Sequence, residues 1–299
     1  MSTPRITAIG EILWDVYPDR KRLGGAPFNF IYHIWKLSGA GNFISSIGSD
    51  EYGKEILDFL NSKGFPTEYI SVDIEHPTGT VQVKIKEDKT PSFKISSECC
   101  YDYLRADEKT IDLVENKTDL LYFGTLAQRS EISRNTMKSL KDKNIKYFCD
   151  VNLRHDFFSK EMIEEALHVC DVIKLNAEEL DKLIKILILS PDRKIAVNQL
   201  MNKYNIKLIA VTLGEEGAYL HLGNEENHYK SKSTSVIDTV GAGDAFAAVL
   251  CLGYLGSMEL EKINKLANEF AAGICQTEGA IPLDDSLYNK FKREFENDS

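Results

Sequence analysis

The fold is decided by the stretch Asp238-Thr-Val-Gly-Ala-Gly-Asp244, which runs directly into the small and apolar residues 245–248. Two glycines separated by one small residue stand before that run, so backbone N–H groups are open to a ligand there. A helix N-terminus also carries unpaired N–H donors and a partial positive charge, and together these bind anions. The stretch therefore predicts an anion site at the start of a helix.

Asp244 falls in the first turn of that helix, beside the predicted anion site. Phosphoryl transfer needs preorganised donors for the charge of the moving group, and the N–H groups of Gly241, Ala242 and Gly243 match this need. The Asp244 carboxylate can accept the proton of an alcohol that attacks a γ-phosphate. The other interpretation is that Asp244 only caps the helix, where acidic residues are favoured.

Upstream of this stretch, nearly continuous apolar runs alternate with helical segments. The apolar runs are Asp119–Phe123, Ile145–Cys149, Asp171–Leu175 and Lys207–Leu213. The helical segments between and after them are Ser130–Lys141, Lys160–His168, Ala177–Ile188 and Arg193–Tyr204, and the C-terminal part adds Ala242–Leu255, Met258–Cys275 and Asp285–Glu296. Strands with this composition are covered on both faces, so the alternation predicts an α/β domain with a mainly parallel sheet.

A different kind of strand is indicated by Thr80–Lys86, where apolar and polar residues alternate strictly. That period of two is typical of a half-exposed strand. With Ser92–Ile95 and Leu13–Tyr17 it predicts a small separate sheet, which we interpret as a lid with strands from about residues 11–20 and 72–98. An ordinary edge hairpin is the alternative. The whole chain, 1–299, is interpreted as one domain.

Composition is that of an ordinary globular protein, with 299 residues, 43% hydrophobic residues and a net charge of −10. No apolar stretch approaches the roughly 20 residues of a membrane span. The acidic balance argues against nucleic acid or an anionic membrane as a partner. Six cysteines without paired spacing are typical of a reducing compartment, and no signal-peptide pattern opens the chain, so we expect a cytoplasmic protein.

Taken together, these motifs resemble the ribokinase-like (PfkB-type) carbohydrate kinases, whose C-terminal signature is Asp-Thr-x-Gly-Ala-Gly-Asp. The resemblance covers nearly the whole chain. It implies the ribokinase-like fold with a small antiparallel β lid, ATP and Mg2+ as cofactors, and a sugar as acceptor. It also implies that Asp244 is the catalytic base and that Gly241, Ala242 and Gly243 form the anion hole. Because such lids often pair between subunits, a homodimer through the lid is expected.

The sugar site is implied by two N-terminal motifs and one central motif. Gly24-Gly-Ala-Pro-Phe-Asn29 resembles the family's sugar-binding motif in its fructokinase form, which marks Gly24, Gly25 and Asn29. Asp15, after the first strand, matches a carboxylate that binds sugar hydroxyls. Arg154 closes an Asp-x-Asn-x-Arg motif that also resembles fructokinases, and it can contact the substrate or phosphates as a planar cation.

The ATP site is implied by three further matches. Asn176 and Glu179 resemble the Asn-x-x-Glu motif that organises Mg2+ and its waters, with Glu179 acting through water, although the same spacing is also an ordinary capping box. The turn containing Thr212, Gly214 and Gly217 resembles the family's ATP-binding turn. Asn268 matches a position near the adenine.

A monovalent cation site beside the anion hole is known in this family, with potassium the usual ion. Asp238 and the carbonyl of Val240 match part of it, and the loop around 277–280 would complete it. Leu283 stands where some relatives have a hydroxyl ligand, so the requirement for potassium stays open.

Fructose is the acceptor that these motifs favour, by transfer from MgATP to a hydroxymethyl group. A 2-keto-3-deoxy sugar acid such as 2-keto-3-deoxygluconate is the alternative, for which Arg154 or Arg129 could supply the extra cation. A catalytically silent sugar-binding regulator is an alternative of another class. A dinucleotide-dependent oxidoreductase is rejected, because the first strand ends in Gly10-Glu-Ile12 instead of Gly-x-Gly-x-x-Gly.

Overall fold

Two β-sheets and ten α-helices make up the part of the chain that this computed structural model describes, residues 3–85, 91–142, 144–231 and 235–296. The strands are β1 (Ile6–Ile9), β2 (Leu13–Val16), β3 (Lys21–Gly24), β4 (Asn42–Gly48), β5 (Ile70–Asp73), β6 (Gly79–Ile85), β7 (Pro91–Ile95), β8 (Leu120–Gly124), β9 (Lys146–Asp150), β10 (Val172–Asn176), β11 (Leu208–Thr212), β12 (Ala218–Leu222) and β13 (Glu225–Tyr229). The helices are α1 (Ala26–Ser38), α2 (Glu51–Lys63), α3 (Glu108–Lys117), α4 (Glu131–Ser139), α5 (Lys160–Leu167), α6 (Ala177–Leu187), α7 (Arg193–Tyr204), α8 (Ala242–Leu255), α9 (Leu260–Ile274) and α10 (Ser286–Glu296).

The large sheet has nine strands in the order β13-β12-β11-β10-β9-β8-β1-β4-β5. All pairs from β11 to β5 are parallel, and only β12 and β13 run antiparallel at one edge. The predicted α/β class with a mainly parallel sheet is confirmed. The strands β8, β10 and β11 are buried along almost their whole length and appear in the sequence as nearly continuous apolar runs, whereas the edge strand β5 is largely exposed.

Helices cover both faces of this sheet and form two separate cores. One core joins α1, α8, α9 and α10 to the sheet and is rich in aromatic rings, among them Phe28, Phe148 and Phe270. The other core joins α3 to α7, through residues such as Leu113 and Leu183. The carboxyl ends of β8, β1, β9, β10 and β11 meet at one edge of the sheet, which is where ligands bind in open α/β sheets. None of the described helices is both long and apolar enough to cross a membrane.

The second sheet has the order β3-β2-β6-β7. Its outer pairs are antiparallel, as expected for the lid, whereas its central pair β2–β6 is parallel. The sheet also takes in Lys21–Gly24, which lies beyond the predicted lid boundary, and Lys86, the last residue of the predicted strand, lies outside the described residues. Val81 and Val83 are buried in the same core as Leu13. Since β3 runs directly into α1, the lid is joined to the first helix of the domain.

Candidate active site

The site is organised around a contact between α1 and α8. Oδ2 of Asp244, in the first turn of α8, accepts a hydrogen bond of 2.7 Å from Nδ2 of Asn29 on α1. Asn29 is buried, and its Oδ1 has no hydrogen-bond partner within the described part of the chain. Burial raises the pKa of Asp244, while the Asn29 hydrogen bond and the positive charges of Lys174 and Arg154 lower it. Packing of α1 on α8 therefore joins two motifs that lie 215 positions apart.

The N-terminus of α8 presents free backbone donors beside this carboxylate. The N–H groups of Gly241, Gly243 and Asp244 donate to no acceptor among the residues that the structure describes. The N–H of Ala242, the third predicted donor, instead donates to the carbonyl oxygen of Thr239 at 3.3 Å. Gly241 precedes the helix as its N-cap, and a Cβ on it would lie 2.3 Å from Cβ of Ala280. Only glycine fits there, so the loop that precedes the helix can approach residues near 280. Open N–H groups at a helix start suit a phosphate or a transferring phosphoryl group.

A buried ion pair lies beneath this helix start. Nζ of Lys174 is 3.0 Å from Oδ2 of Asp150, which the hydroxyl of Tyr122 also contacts at 3.3 Å. A Cβ on Gly243 would lie 2.8 Å from the same Nζ, so the ammonium group packs directly against the first turn of α8. Neither Lys174 nor Asp150 was given a role from the sequence. A lysine within an otherwise apolar strand was the signal that could have revealed it.

Asp15 and the two glycines Gly24 and Gly25 lie at the lid side of the site. A Cβ on Gly24 would lie 2.8 Å from Oδ2 of Asp15, so this glycine leaves room for the carboxylate. Gly25 is the N-cap of α1 with φ 110°, and a Cβ there would lie 2.4 Å from the carbonyl oxygen of Glu11. Burial raises the pKa of Asp15 to about 6, against the lowering effect of Arg154 and Arg22.

Glu11 is a buried carboxylate that the sequence motif contained without a role. Its side chain is 2% exposed, and its Oε2 has no hydrogen-bond partner among the described residues. Burial raises the pKa of Glu11 to about 7; the charge of Asp244 raises it as well, and that of Arg154 lowers it. Arg154 itself is exposed, and its charge lowers the pKa of Asp15, Glu11 and Asp244 alike. The three carboxylates and one guanidinium therefore share a single site.

Asn176 and Glu179, the predicted magnesium residues, form a capping box at the start of α6. Oδ1 of Asn176 accepts the N–H of Glu179 at 2.9 Å, and Oε2 of Glu179 accepts the N–H of Asn176 at 2.8 Å. The other carboxylate oxygen of Glu179 accepts the N–H of Leu153 at 2.9 Å. Burial raises the pKa of Glu179. Carboxylate oxygens with lone pairs left are suitable for hydrogen bonds to the waters of Mg2+, so these residues fit the ion through water.

The remaining predicted ATP residues lie along one side of β11 and α9. Thr212 ends β11 and pairs in register with Asn176, while Gly214 and Gly217 bound the short turn before β12. Asn268 on α9 is buried, with Nδ2 donating to the carbonyl oxygen of Asn264 at 2.8 Å. Its Oδ1 accepts a hydrogen bond from the Ser231 hydroxyl at 3.2 Å. Both ends of the Asn268 amide are thus held by the protein, and a role near the adenine stays a prediction.

Asp238, the predicted cation ligand, is already bound by a side chain from the lid. NH1 of Arg22 donates to Oδ2 of Asp238 at 2.5 Å, and NH2 of Arg22 contacts Oε2 of Glu278 at 3.0 Å. Backbone N–H groups occupy the rest of the carboxylate: that of Gly279 donates to Oδ2 and that of Val240 to Oδ1, each at 3.1 Å. The positive charge beside the Asp238 carboxylate is therefore supplied by Arg22 of the same chain.

Arg129 lies in a buried ion pair with Asp102. Nε and NH2 of Arg129 each donate to Asp102 at 2.7 Å, and both side chains are largely buried. NH2 also donates to the carbonyl oxygen of Ser96 at 2.6 Å. In contrast, the Arg154 guanidinium has no hydrogen bond or ion pair to any residue that the structure describes. Of the two arginines weighed for an acid substrate, Arg154 is the one that is free to bind it.

Comparison with known proteins matches nearly the whole chain to one family. Residues 14–286 match the pfkB family of carbohydrate kinases. A putative sugar kinase from Pyrococcus horikoshii is 31% identical over 94% of each chain. A probable fructokinase from Arabidopsis thaliana is 29% identical, also over 94% of each chain.

Solved structures agree with this. The Pyrococcus horikoshii sugar kinase in complex with ATP superimposes with a TM-score of 0.79 at 28% identity, covering 97% of this chain and 99% of the other. A double mutant of Vibrio cholerae fructokinase, with fructose, ADP and a potassium ion bound, gives a TM-score of 0.80 at 25% identity, covering 96% and 98%.

Proposed function

The chain belongs to the pfkB family of carbohydrate kinases, and on that basis we propose that it transfers the γ-phosphoryl group of MgATP to a hydroxymethyl group of fructose. The observation that carries the proposal is the Asp244 carboxylate, held by Asn29 at 2.7 Å beside the open N–H groups at the start of α8. A base and an anion site at one place are what in-line phosphoryl transfer requires.

The reaction needs little beyond positioning and charge stabilisation. Asp244 accepts the proton of the attacking hydroxyl, and the open N–H groups of Gly241 and Gly243 stabilise the charge on the transferring phosphoryl group. One such donor typically contributes about 10²–10³ in rate, and a general base contributes about 10²–10⁴. When bound, Mg2+ would supply positive charge against the phosphates, and Asn176 and Glu179 would hold it through water.

Fructose is favoured by the polar groups on the acceptor side. Asp15, with Gly24 leaving space for its carboxylate, supplies acceptors for sugar hydroxyls. The buried oxygens of Glu11 and Asn29 that lack partners within the described chain add two more. Buried acceptors of this kind are normally satisfied, and a polyhydroxylated ligand would satisfy them. The relatives named fructokinase point to the same substrate.

A second acceptor class is a 2-keto-3-deoxy sugar acid. One observation favours it: the Arg154 guanidinium lies near Asp15 and Glu11 and has no ion-pair partner among the described residues. A planar guanidinium binds a carboxylate in two-point fashion. Arg129 does not contribute, because Asp102 holds it.

The remaining expectations about the intact protein stay predictions. These are a homodimer through the second sheet, a cytoplasmic location, and ATP contacts from Thr212, Gly214, Gly217 and Asn268. In this proposal the nucleotide lies along β11, beside the turn that contains Gly214 and Gly217.

The test is ATP-dependent phosphorylation of fructose, compared with glucose, ribose and 2-keto-3-deoxygluconate in one coupled assay containing Mg2+. A preference for fructose of tenfold or more in kcat/KM, about 1.4 kcal/mol, would support the proposal. A preference for the sugar acid that is lost in Arg154→Gln would move the assignment to the second class. No turnover with any acceptor, from protein that binds ATP, would instead favour a sugar-binding regulator.

A further inference from the structure

We propose that Arg22 takes the place of a monovalent cation at Asp238, so that this chain works without potassium. The motif Asp238-Thr-Val-Gly resembles a site where relatives bind such an ion, and the Vibrio cholerae fructokinase structure contains potassium. In this chain a guanidinium from the lid strand β3 lies on the same carboxylate.

Both carboxylate oxygens of Asp238 already accept hydrogen bonds from the chain. NH1 of Arg22 and the N–H of Gly279 donate to Oδ2, and the N–H of Val240 donates to Oδ1. The second amino group of the guanidinium bonds to Glu278, in the loop that the resemblance makes part of the cation site. An ion at this carboxylate would have to compete with the guanidinium for Oδ2 of Asp238. The residues present therefore do not fit an added ion unless Arg22 leaves.

The guanidinium of Arg22 is largely buried, although β3 is an edge strand of the second sheet. The side chain of Arg22 is 18% exposed and that of Asp238 is 20% exposed. The ring of Tyr17 lies 5.7 Å from its central carbon, and Cδ of Arg22 would be 3.3 Å from a Cβ on Gly279. These contacts, together with the ion pair to Asp238, hold the guanidinium in one position. Arginine suits this use because it stays protonated and its donors form a rigid fork.

Arg22 also affects the proposed phosphoryl site, through Asp238. Asp238 stands three residues before Gly241, the N-cap of α8, and its Oδ1 accepts the N–H of Val240 in between. Neutralising Asp238 removes a negative charge that would oppose the phosphates at the adjacent anion site. The same contact ties the lid to the loop that presents the anion site. Arg22 is thus a positioning residue, since it acts on the reacting atoms through Asp238 and its loop.

Matched variants separate the charge from the fold. Arg22→Ala removes the guanidinium, and Arg22→Lys keeps a positive charge with a different donor geometry. Arg20→Ala is the control, because Arg20 lies two positions away and also contacts the Tyr17 ring, but its ion pair is with the exposed Asp19 and not with Asp238. Each protein is measured in choline chloride and in potassium chloride at equal ionic strength, with Mg2+ and ATP present.

The activity readout rests on the proposed kinase function, whereas the thermal-melting readout does not depend on it. In the activity readout, wild type and Arg20→Ala should give the same kcat/KM in both salts. Arg22→Ala should lose about tenfold or more in choline and recover most of it in potassium, while Arg22→Lys stays indifferent to potassium. In the second readout, thermal melting without any sugar, potassium should raise the Tm of Arg22→Ala only.

Two results would overturn the inference. One is a wild-type enzyme that potassium activates several-fold. The other is an Arg22→Ala protein that melts normally and shows no response to potassium in either readout. If no sugar is turned over at all, the proposed function fails while the melting comparison still decides the role of Arg22.

Discussion

Nδ2 of Asn29 lies 2.7 Å from Oδ2 of Asp244, and this one hydrogen bond joins the start of α1 to the start of α8. An amide donor stabilises the ionised form of the carboxylate, which is the form that a base requires. Burial acts in the opposite direction and raises the pKa of Asp244. The balance between the two sets the pH at which the base is available.

Asp244→Asn tests the base directly. The substitution keeps the size of the side chain and removes its ability to take a proton, so kcat should fall by about two orders of magnitude or more. Binding of the sugar and the melting temperature should change little. Asp58→Asn, at an exposed position on α2, is the matched control. Near-normal turnover in Asp244→Asn would remove Asp244 from the role of base.

Asn29→Ala tests the hydrogen bond through the pH dependence of the reaction. Because the bond lowers the pKa of Asp244, its removal should raise that pKa. The acidic limb of the profile of kcat/KM against pH should therefore move to higher pH, with a smaller loss at alkaline pH than at neutral pH. The measurement is a full pH profile of wild type and variant in the same buffers. A limb that stays in place or moves to lower pH would contradict this account of Asn29.

Much of this architecture follows from the sequence for a simple reason. Strands that are buried on both faces leave nearly continuous apolar stretches in the sequence. The strands β8, β9 and β10 were therefore predicted to within one residue of their starts, from the runs Asp119–Phe123, Ile145–Cys149 and Asp171–Leu175. The strand β3 was missed, since its four residues Lys21–Gly24 show neither alternation nor an apolar run. Propensity carries little information for so short an edge strand.

The site was predicted less completely than the fold. Motif residues such as Asn29 and Asp244 stand out because glycines and a proline flank them. Glu11 and Lys174 stood within recognised segments, but only the folded structure reveals that both are buried beside Asp244. Arg22 gave no signal at all, because its partner Asp238 is 216 positions away and a lysine-arginine pair is usually an exposed feature. Contacts between distant segments are decided by tertiary packing, which no local pattern records.

Glu11→Gln tests whether ionisation of the buried Glu11 carboxylate lowers the stability of the folded protein. Burial raises the pKa of Glu11 from 4.5 to about 7, so between these pH values the folded protein holds a proton that the unfolded chain has released. The folded state therefore loses stability as pH rises through this window, by up to about 3 kcal/mol, since one pKa unit corresponds to about 1.4 kcal/mol.

The neutral amide of Glu11→Gln avoids that loss. Its free energy of unfolding should exceed that of wild type at pH 8 by roughly 1–3 kcal/mol and match it at about pH 4, below the window. Urea unfolding at the two pH values measures the difference, and Glu115→Gln on the exposed side of α3 is the control. A wild-type protein that is as stable as Glu11→Gln at pH 8 would mean that Glu11 is not ionised at a cost in the fold.

Lys174→Met tests the buried pair beneath the first turn of α8. The substitution leaves the Asp150 carboxylate, which is fully buried, without the ammonium that lies 3.0 Å away. Removing one partner of a buried pair typically costs about 3–5 kcal/mol, because an uncompensated charge stays in the interior. Urea unfolding should show this loss, whereas Lys146→Met, at the exposed start of β9, should change stability by only about 0.5 kcal/mol or less.

The double variant Lys174→Met with Asp150→Asn separates the charge from the packing. If the uncompensated charge causes the loss, the second substitution removes it, so the double variant should be more stable than Lys174→Met alone. The coupling free energy from the four proteins should then be favourable to the native pair. Additive losses would mean that Lys174 stabilises the site by filling space against Gly243, and that the ion pair itself contributes nothing to the position of α8.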